Sequence, residues 1–442
     1  MASASVGETN PSQAVGIGAR RAALTILTQV REGGPFEAAL TRGLGELPEP
    51  DRRLAHELAA GVLRHRSILD QRLAPLVSRG WNNVAAELQD ILRLGAYQIT
   101  ALERVPTHAA VDTSVALAKA SGGTRAAGFV NAVLRRLTRT DPEVAAQPDL
   151  ADNIAREHSH PPWLVRRWIE SFGLEQTEAL LRWNNTRPRL VAQPARRDLE
   201  ELAELWRAAG LVVELAPYEA GLMSRGSRPA ELPGYREGQF IIQDPAQALL
   251  ARYICPFPQA TVYDACAAPG GKTITVGRHV ERLVAGEVNR LRARRLADNL
   301  TRAGSGREYA VVADARHPPV RPLDTVLLDA PCLGTGTIAR HPDARWRITR
   351  EALGRIAQLQ TELLAGVAAA VAPGGLLVYS TCSLEPEENR DQVERFLTHH
   401  PEFHREEVAF PEALLSPEGD LVILPQLHGM DGAYAARLRR SA

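Results

Sequence analysis

Short apolar runs alternate with helical patterns through the C-terminal half of this chain, and that alternation predicts a mostly parallel β-sheet. The carboxyl ends of parallel strands lie at one edge of a sheet, and open α/β folds bind their ligands at that edge. The residues that follow each run are therefore the candidate functional residues. The predicted strands are Thr261–Tyr263, Arg282–Ala285, Tyr309–Val312, Thr325–Leu328 and Leu376–Tyr379.

Two of these runs lead into cysteine motifs. Cys332 lies in Asp-Ala-Pro-Cys-Leu-Gly-Thr-Gly, and Cys382 lies in Ser-Thr-Cys-Ser. About one β-α-β crossover separates them, so the second strand should return parallel to the first and bring both thiols to one edge. Cysteine is among the most buried residue types, so inert packing is the alternative. Both cysteines follow their runs among small or turn-forming residues, which favours function, with a thiolate stabilised by a helix N-terminus or by Lys272.

Free thiols are expected rather than disulfides. The four cysteines, Cys255, Cys266, Cys332 and Cys382, have no metal-type CxxC spacing. No apolar run approaches the length of a membrane span, and residues 1–16 contain no apolar signal core. We therefore expect a cytoplasmic protein in a reducing compartment, with neither a metal site nor a membrane contact.

A tight glycine-rich turn follows the first predicted strand, where the backbone can approach a ligand closely. The turn has neither the G-x-G-x-x-G pattern of dinucleotide binders nor the spacing of a P-loop, which disfavours nicotinamide and nucleoside triphosphate cofactors. Lys119 and Lys272 are the only lysines of the chain, and every other basic residue apart from histidine is arginine. A lysine at this turn therefore indicates a role that needs a compact ammonium and not a planar guanidinium. The turn consists of Cys266, Ala267, Ala268, Pro269, Gly270, Gly271 and Lys272.

Carboxylates at neighbouring strand ends outline a nucleoside pocket. Glu287 ends the second predicted strand and can accept hydrogen bonds from both hydroxyls of a ribose. Asp314 follows the third strand and suits an adenine amino group, while Asp329, near Cys332, suits a heterocycle's ring nitrogen and exocyclic amine. A solvated surface acid is the alternative, because most acids are exposed. Together with the glycine-rich turn, Glu287 and Asp314 predict a cofactor that contains adenosine and is bound without a phosphate-binding loop.

The segment 338–347 combines positive charge with one aromatic ring, in Arg340, His341, Arg345 and Trp346. Such a combination suits phosphate contacts and stacking on unpaired bases, and a solvated basic loop is the alternative. The formal net charge of the whole chain is +0, which argues against nonspecific coating of nucleic acid.

The 442 residues exceed what one hydrophobic core holds, so several domains are expected. Small polar residues at 1–17 predict a disordered tail. Helical periodicity over 18–140, interrupted by glycines such as Gly95, predicts an all-α domain. Mixed patterns over 141–240 predict a small α+β connecting domain, and residues 241–442 form the predicted α/β domain.

These motifs resemble the Sun/RsmB group of bacterial RNA (cytosine-5)-methyltransferases. The resemblance implies a NusB-like RNA-binding N-terminal domain, a Rossmann-like methyltransferase domain, S-adenosylmethionine as cofactor and small-subunit ribosomal RNA as partner. In the C-terminal half it is carried by Asp264–Thr273, Leu328–Gly336, Pro373–Asn389 and Asp431–Ala435. In the N-terminal part it is carried by residues 51–53, 61–64, 92–97 and 128–135.

The resemblance also implies residue roles. Cys382 would attack carbon 6 of a cytosine, Cys332 would help the product leave, and Asp329 would contact ring nitrogen 3. From the residues alone, either cysteine could attack. We expect a monomer. The implied cofactor site consists of Cys266–Lys272, Glu287, Asp314 and Asp329.

Two other functions stay open on the sequence. The first is a noncatalytic RNA-binding or ribosome-assembly factor, which the intact thiols and the glycine turn disfavour. The second is a cytosine-5 methyltransferase that acts on transfer RNA or DNA, against which the fused helical domain argues.

Overall fold

The chain divides by its internal contacts into two units. The first is Met1–Thr186 with His341–Arg347, and the second is Arg187–Arg340 with Ile348–Ala442. The predicted domain boundaries at residues 140 and 240 do not coincide with the ends of these two units, and they stay predictions. Cys255 and residues 1–15 of the predicted tail lie outside the residues that the computed structural model describes, which are 16–45, 47–140, 149–224, 229–254 and 259–442.

The first unit is helical. Leu27, Leu58, Ile91 and Val130 come from four of its helices and are buried in one hydrophobic core, as their helical spacing predicts. The helices that share this core are α1 (Ile17–Arg31), α2 (Phe36–Gly43), α3 (Glu49–Arg64), α4 (Arg66–Leu73), α5 (Ala86–Ala101) and α6 (Thr107–Leu137).

The prediction that Gly95 interrupts the helices is wrong. Gly95 lies inside α5 because this helix packs closely on α6, and a Cβ at Gly95 would lie only 2.5 Å from Leu134 Cδ1. A break does occur at Gly122 and Gly123, where α6 kinks and Gly123 has a φ of 70°. Glycine thus serves close packing in one helix and a left-handed kink in the next.

Three further helices and a short distant segment complete the first unit. Asp149 caps the first of the three by accepting a hydrogen bond from Asp152 N–H, and the second begins at Pro162, a first-turn position that suits proline. The three helices are α7 (Leu150–Glu157), α8 (Pro162–Phe172) and α9 (Leu174–Asn184). The segment contains a four-residue helix, Ala344–Arg347.

The second unit begins with a small antiparallel sheet in the order β2-β3-β1-β4. One helix packs on it and buries Trp206 against Phe240, with ring centroids 5.3 Å apart. These elements lie in the C-terminal part of 141–240, the range of the predicted connecting domain. Its elements are β1 (Val191–Pro194), α10 (Leu199–Ala208), β2 (Val213–Leu215), β3 (Leu222–Ser224) and β4 (Phe240–Ile242).

The large sheet of the second unit has the order β10-β12-β9-β8-β5-β6-β7, and β11 pairs with β12. Strands β5 to β9 are parallel, and β12 adds antiparallel to β9. All five predicted strands are present within longer observed ones. The strands are β5 (Thr261–Asp264), β6 (Arg282–Glu287), β7 (Glu308–Val312), β8 (Leu323–Asp329), β9 (Val371–Thr381), β10 (Phe403–Arg405), β11 (Leu421–Ile423) and β12 (Ala433–Arg440).

The connections place a switch point at the centre of this sheet. From β5 the chain passes to β6 and β7, then returns to the other side of β5 as β8. Ligands in open α/β sheets bind at such a point, beyond the carboxyl ends of the strands. The helices of this part are α11 (Pro245–Ile254), α12 (Gly271–Gly277), α13 (Arg290–Ala303), α14 (Arg350–Ala368), α15 (Arg390–His399) and α16 (Pro425–His428). Within the described ranges, no helix combines the length and apolar character that crossing a membrane requires.

Candidate active site

The two predicted thiols meet at the carboxyl ends of β8 and β9. These strands are parallel neighbours, and their register places Asp329 opposite Ser380. Cys332 follows the end of β8 by three residues and Cys382 directly follows β9. The two sulfurs therefore converge, and Cys332 Sγ lies 3.2 Å from Cys382 Sγ. Both cysteines are free thiols.

The surroundings of Cys332 favour its protonated form. The hydrogen bond between Cys332 and Cys382, together with burial, raises the pKa of Cys332 well above its usual value. The nearby carboxylate of Glu388 acts in the same direction. Cys332 therefore stays protonated at neutral pH.

Backbone contacts between the two cysteine loops depend on glycine. Gly336 N–H donates to Cys382 O at 3.0 Å, and Gly432 N–H donates to Gly336 O at 2.8 Å. A Cβ on Gly336 would lie 2.7 Å from Gly432 Cα, so the side chain of any other residue would push the loops apart. Thr335 adds a contact, since its Oγ1 accepts from Leu384 N–H at 2.8 Å.

Asp329 connects the glycine turn to both strands. Lys272 Nζ donates to Asp329 Oδ2 at 2.6 Å, and Ser380 Oγ donates to Asp329 Oδ1 at 2.9 Å. Lys272 belongs to the helix that follows the turn, and Ser380 stands two residues before Cys382. The ammonium and the carboxylate thus lie on the same sheet edge as the thiols.

The glycine turn is held against β6 by its backbone. Ala267 N–H donates to Gly286 O at 2.9 Å, and Gly270 N–H donates to Ala267 O at 2.7 Å. Gly270 adopts a φ of 104°, which residues with a side chain rarely adopt, and α12 begins at the next residue. Burial raises the pKa of Cys266 to about 12, so this third thiol stays neutral.

Glu287 and Asp314 lie at the ends of β6 and β7 as predicted, in different surroundings. Glu287 is buried, and its Oε1 accepts from Asn289 N–H at 2.8 Å. The apolar side chain of Val288 beside it is 63% exposed. Hydrogen bonds from Arg316 lower the pKa of Asp314, which is therefore charged at neutral pH. Both carboxylates are positioned at the edge where a nucleoside would lie.

Asp264, at the end of β5, is a further candidate residue of the site, and no motif of the sequence predicts a role for it. Thr273 Oγ1 donates to its Oδ2 at 2.7 Å, while the buried Oδ1 has no hydrogen-bond partner in the described part of the chain. Burial raises the pKa of Asp264 to about 7. Asp264 thus ties α12, which carries Thr273, to the end of β5.

The RNA-contact prediction for Arg345 is wrong for this structure. Arg345 is 0% exposed and belongs to the first unit. Its guanidinium donates to Asn184 O at 2.8 Å and to Asn185 Oδ1 at 2.7 Å, and it also bonds Arg64 O and Ser159 O. A side chain that is enclosed in this way cannot reach a phosphate.

The other three residues of the basic segment differ from one another. Trp346 is half-buried, and its Nε1 donates to Leu63 O at 2.8 Å. Half-exposed His341 lies near Glu37. In the second unit, Arg340 forms ion pairs of 2.5 Å with Asp244 and 2.7 Å with Asp431, through two of its five N–H donors. These carboxylates hold the guanidinium in place, and contact of Arg340, His341 or Trp346 with RNA stays a prediction.

Comparison with known proteins matches two regions. The family described as "16S rRNA methyltransferase RsmB/F" matches residues 251–439, and the NusB family matches residues 18–139. A Synechocystis protein named "Probable ribosomal RNA small subunit methyltransferase B" is 34% identical over 451 residues, covering 96% of this chain and 100% of that protein. "Ribosomal RNA small subunit methyltransferase B" of Pseudomonas putida is 33% identical over 435 residues, covering 96% and 98%.

Solved structures share the fold. The crystal structure of PH0851 has a TM-score of 0.82 at 24% identity and covers 98% of this chain. That of NSun6 from Pyrococcus horikoshii with SFG has a TM-score of 0.56 at 19% identity and covers 63% of this chain and 97% of its own. With the family matches, these likenesses confirm the predicted fold class, a NusB-like helical domain and a Rossmann-like α/β methyltransferase domain. Among the described residues no cluster of side chains suits a metal ion.

Proposed function

Because the chain belongs to the RsmB/F family of small-subunit ribosomal RNA methyltransferases, we propose that it methylates carbon 5 of a cytosine in 16S ribosomal RNA through a cysteine adduct at carbon 6. The observation that carries the proposal is the pair of thiols, 3.2 Å apart, on the sheet edge that also holds the Lys272–Asp329 ion pair.

The chemistry requires a nucleophile because carbon 5 of cytosine reacts poorly with a methyl sulfonium. Addition of a thiolate to carbon 6 interrupts the ring conjugation and raises the electron density at carbon 5. Cys382 is the proposed nucleophile. The raised pKa of Cys332 supports this assignment, since it keeps Cys332 as the protonated member of the pair.

The remaining groups have complementary roles. Asp329 contacts ring nitrogen 3, and the ammonium of Lys272 beside it compensates the negative charge that develops there. After methylation the proton on carbon 5 must leave before the bond from carbon 6 to Cys382 can break. That proton passes to water, and Cys332 assists the release that follows, because its protonated thiol lies 3.2 Å from Cys382 Sγ and can donate a hydrogen bond to the departing thiolate.

S-Adenosylmethionine would lie along the glycine turn and supply the electrophilic methyl group. Glu287 would accept hydrogen bonds from its ribose, and Asp314 from its adenine amino group. The backbone of Cys266–Gly271 would contact the rest of the cofactor. The absence of side chains at the two glycines allows the cofactor to approach the backbone closely.

The target cytosine must be unstacked or lie in a loop, because neither thiol can reach a base inside a duplex. His341 and Trp346 are proposed to contact the RNA near that base, one through a potential positive charge and the other through its ring. The helical N-terminal domain is proposed to bind RNA as well.

Transfer of labelled methyl groups tests this function. The full-length protein, labelled S-adenosylmethionine and undermethylated 16S RNA should give 5-methylcytidine after digestion to nucleosides. Cys382→Ala should give none, since the adduct cannot form. Labelling by Cys382→Ala at the wild-type rate would refute the nucleophile assignment. Labelling of transfer RNA alone, or no labelling of any RNA, would favour the two alternative functions.

A further inference from the structure

We infer that Glu388 is a positioning residue that holds the Cys332 and Cys382 loops together, so that both sulfurs face one pyrimidine ring. The inference rests on the proposed function and adds a residue outside the cysteine motifs. Its contacts with the two loops carry it.

Glu388 hydrogen-bonds the residue that follows each cysteine. Its Oε1 accepts from Leu333 N–H at 2.9 Å, directly after Cys332. Its Oε2 accepts a short hydrogen bond from the hydroxyl of Ser383, directly after Cys382. One carboxylate therefore connects two loops whose cysteines are 50 positions apart in the chain.

Three features hold Glu388 itself in place, one at its carboxylate and two at its backbone. Gln360 Nε2 donates to Glu388 Oε1 at 3.1 Å and to Pro331 O at 2.9 Å, so α14 supports the same loop. The hydroxyl of Tyr379, within β9, donates to the backbone oxygen of Glu388 at 2.6 Å. Glu388 also ends the 3₁₀ turn Pro386–Glu388. A residue held this firmly fixes the groups that it binds.

Burial of a charged group is unfavourable unless its hydrogen bonds compensate for the lost water. Glu388 is 0% exposed, and burial raises its pKa to about 6, so it is mostly ionised at neutral pH. Glutamine has the same shape but offers one oxygen and one NH₂ group. At position 388 it would turn its NH₂ group toward the Leu333 N–H or toward the Ser383 hydroxyl, and one loop would lose its acceptor.

Oxidation of Cys332 and Cys382 to a disulfide tests the spacing of their two loops in the absence of RNA. A disulfide needs its sulfurs at about 2.05 Å, so the 3.2 Å pair needs only a small movement to close. We expect the wild-type protein treated with diamide to form the Cys332–Cys382 disulfide readily, as quantified by peptide mass spectrometry. In Glu388→Gln the rate of its formation should fall several-fold.

Methyl transfer gives the second readout. In Glu388→Gln, kcat should fall by about 10- to 100-fold, because a displacement of reacting groups by about 1 Å can cost that much. The Kd for S-adenosylmethionine should stay at the wild-type value, since Glu388 contacts neither the turn nor the strand ends that would hold it. Glu387→Gln removes a like charge from the preceding position and should match the wild type in both assays.

Wild-type rates of disulfide formation and methyl transfer in Glu388→Gln would overturn the inference. If circular dichroism shows that Glu388→Gln does not fold, Ser383→Ala is tested in its place. This variant keeps the carboxylate of Glu388 and removes one of its hydrogen-bond donors. Slower disulfide formation in Ser383→Ala supports the inference, and the wild-type rate overturns it. Absence of RNA methylation by the wild type would contradict the proposed function while the oxidation result still stands.

Discussion

Replacing Lys272 with methionine removes the ammonium that joins the glycine turn to the end of β8. The bond from Lys272 Nζ to Asp329 is 2.6 Å long, and the two side chains are 12% and 31% exposed. A charge-assisted hydrogen bond of this kind contributes about 1.5–3 kcal/mol. Because about 1.4 kcal/mol corresponds to a factor of ten in rate, methyl transfer should slow by about 10- to 150-fold.

The assay is single-turnover transfer of labelled methyl groups to 16S RNA at saturating S-adenosylmethionine. Lys119→Met is the matched control, because Lys119 is the only other lysine and is exposed on α6. Lys272→Arg keeps the charge but replaces a compact ammonium with a planar fork, so its rate should lie between those of the wild type and Lys272→Met.

Two results would refute this reasoning. One is a rate for Lys272→Met within threefold of the wild type, which would mean that the ion pair has no role in the reaction. The other is an equal loss in Lys119→Met, which would mean that the effect comes from the lost charge of the protein as a whole.

Three further outcomes are expected. Burial raises the pKa of Asp264 from 3.8 to about 7, so the native state binds its proton more tightly than the unfolded state. The free energy of unfolding should therefore fall by about 4 kcal/mol as the pH rises from 4 to 8. Asp264→Asn, measured by urea unfolding, should lack this part of the pH dependence, and an equal dependence of stability on pH in both proteins would contradict it. Arg345→Ala should lower the free energy of unfolding by about 3–5 kcal/mol, because four buried oxygens lose their donor, whereas exposed Arg104→Ala should change it by less than about 0.5 kcal/mol. In Cys382→Ala, iodoacetamide should alkylate Cys332 faster at pH 8.5 than in the wild type, because the hydrogen bond that raises its pKa is gone; an unchanged rate would contradict that cause.

The local pattern of the sequence is sufficient to predict the five parallel strands of the large sheet. Apolar runs such as Thr325–Leu328 lie wholly inside the observed strands, because a strand buried on both faces has few polar residues. The meeting of Cys332 and Cys382 follows from one further step, the parallel return of a β-α-β crossover. The glycine turn and the strand-end carboxylates follow in the same way.

Long-range packing explains what the sequence does not predict. Arg345 is typical of an exposed basic segment, yet its acceptors lie 160 to 281 positions away in the chain, where no local pattern reveals them. Glu388 has the appearance of an ordinary acid in Pro-Glu-Glu-Asn, and only the folded loops show what it binds. Gly95 is similar, since the contact that requires it comes from α6.

Trapping of the RNA adduct tests the central claim most directly. The Cys332→Ala variant, incubated with S-adenosylmethionine and 16S RNA, should form a heat-stable band of reduced mobility on a denaturing gel. Nuclease digestion and peptide mass spectrometry should locate the nucleotide on Cys382, and the Cys332→Ala, Cys382→Ala double variant should show no band. A nucleotide attached at any other residue, or methylation by Cys332→Ala at the wild-type rate with no adduct, would contradict the account.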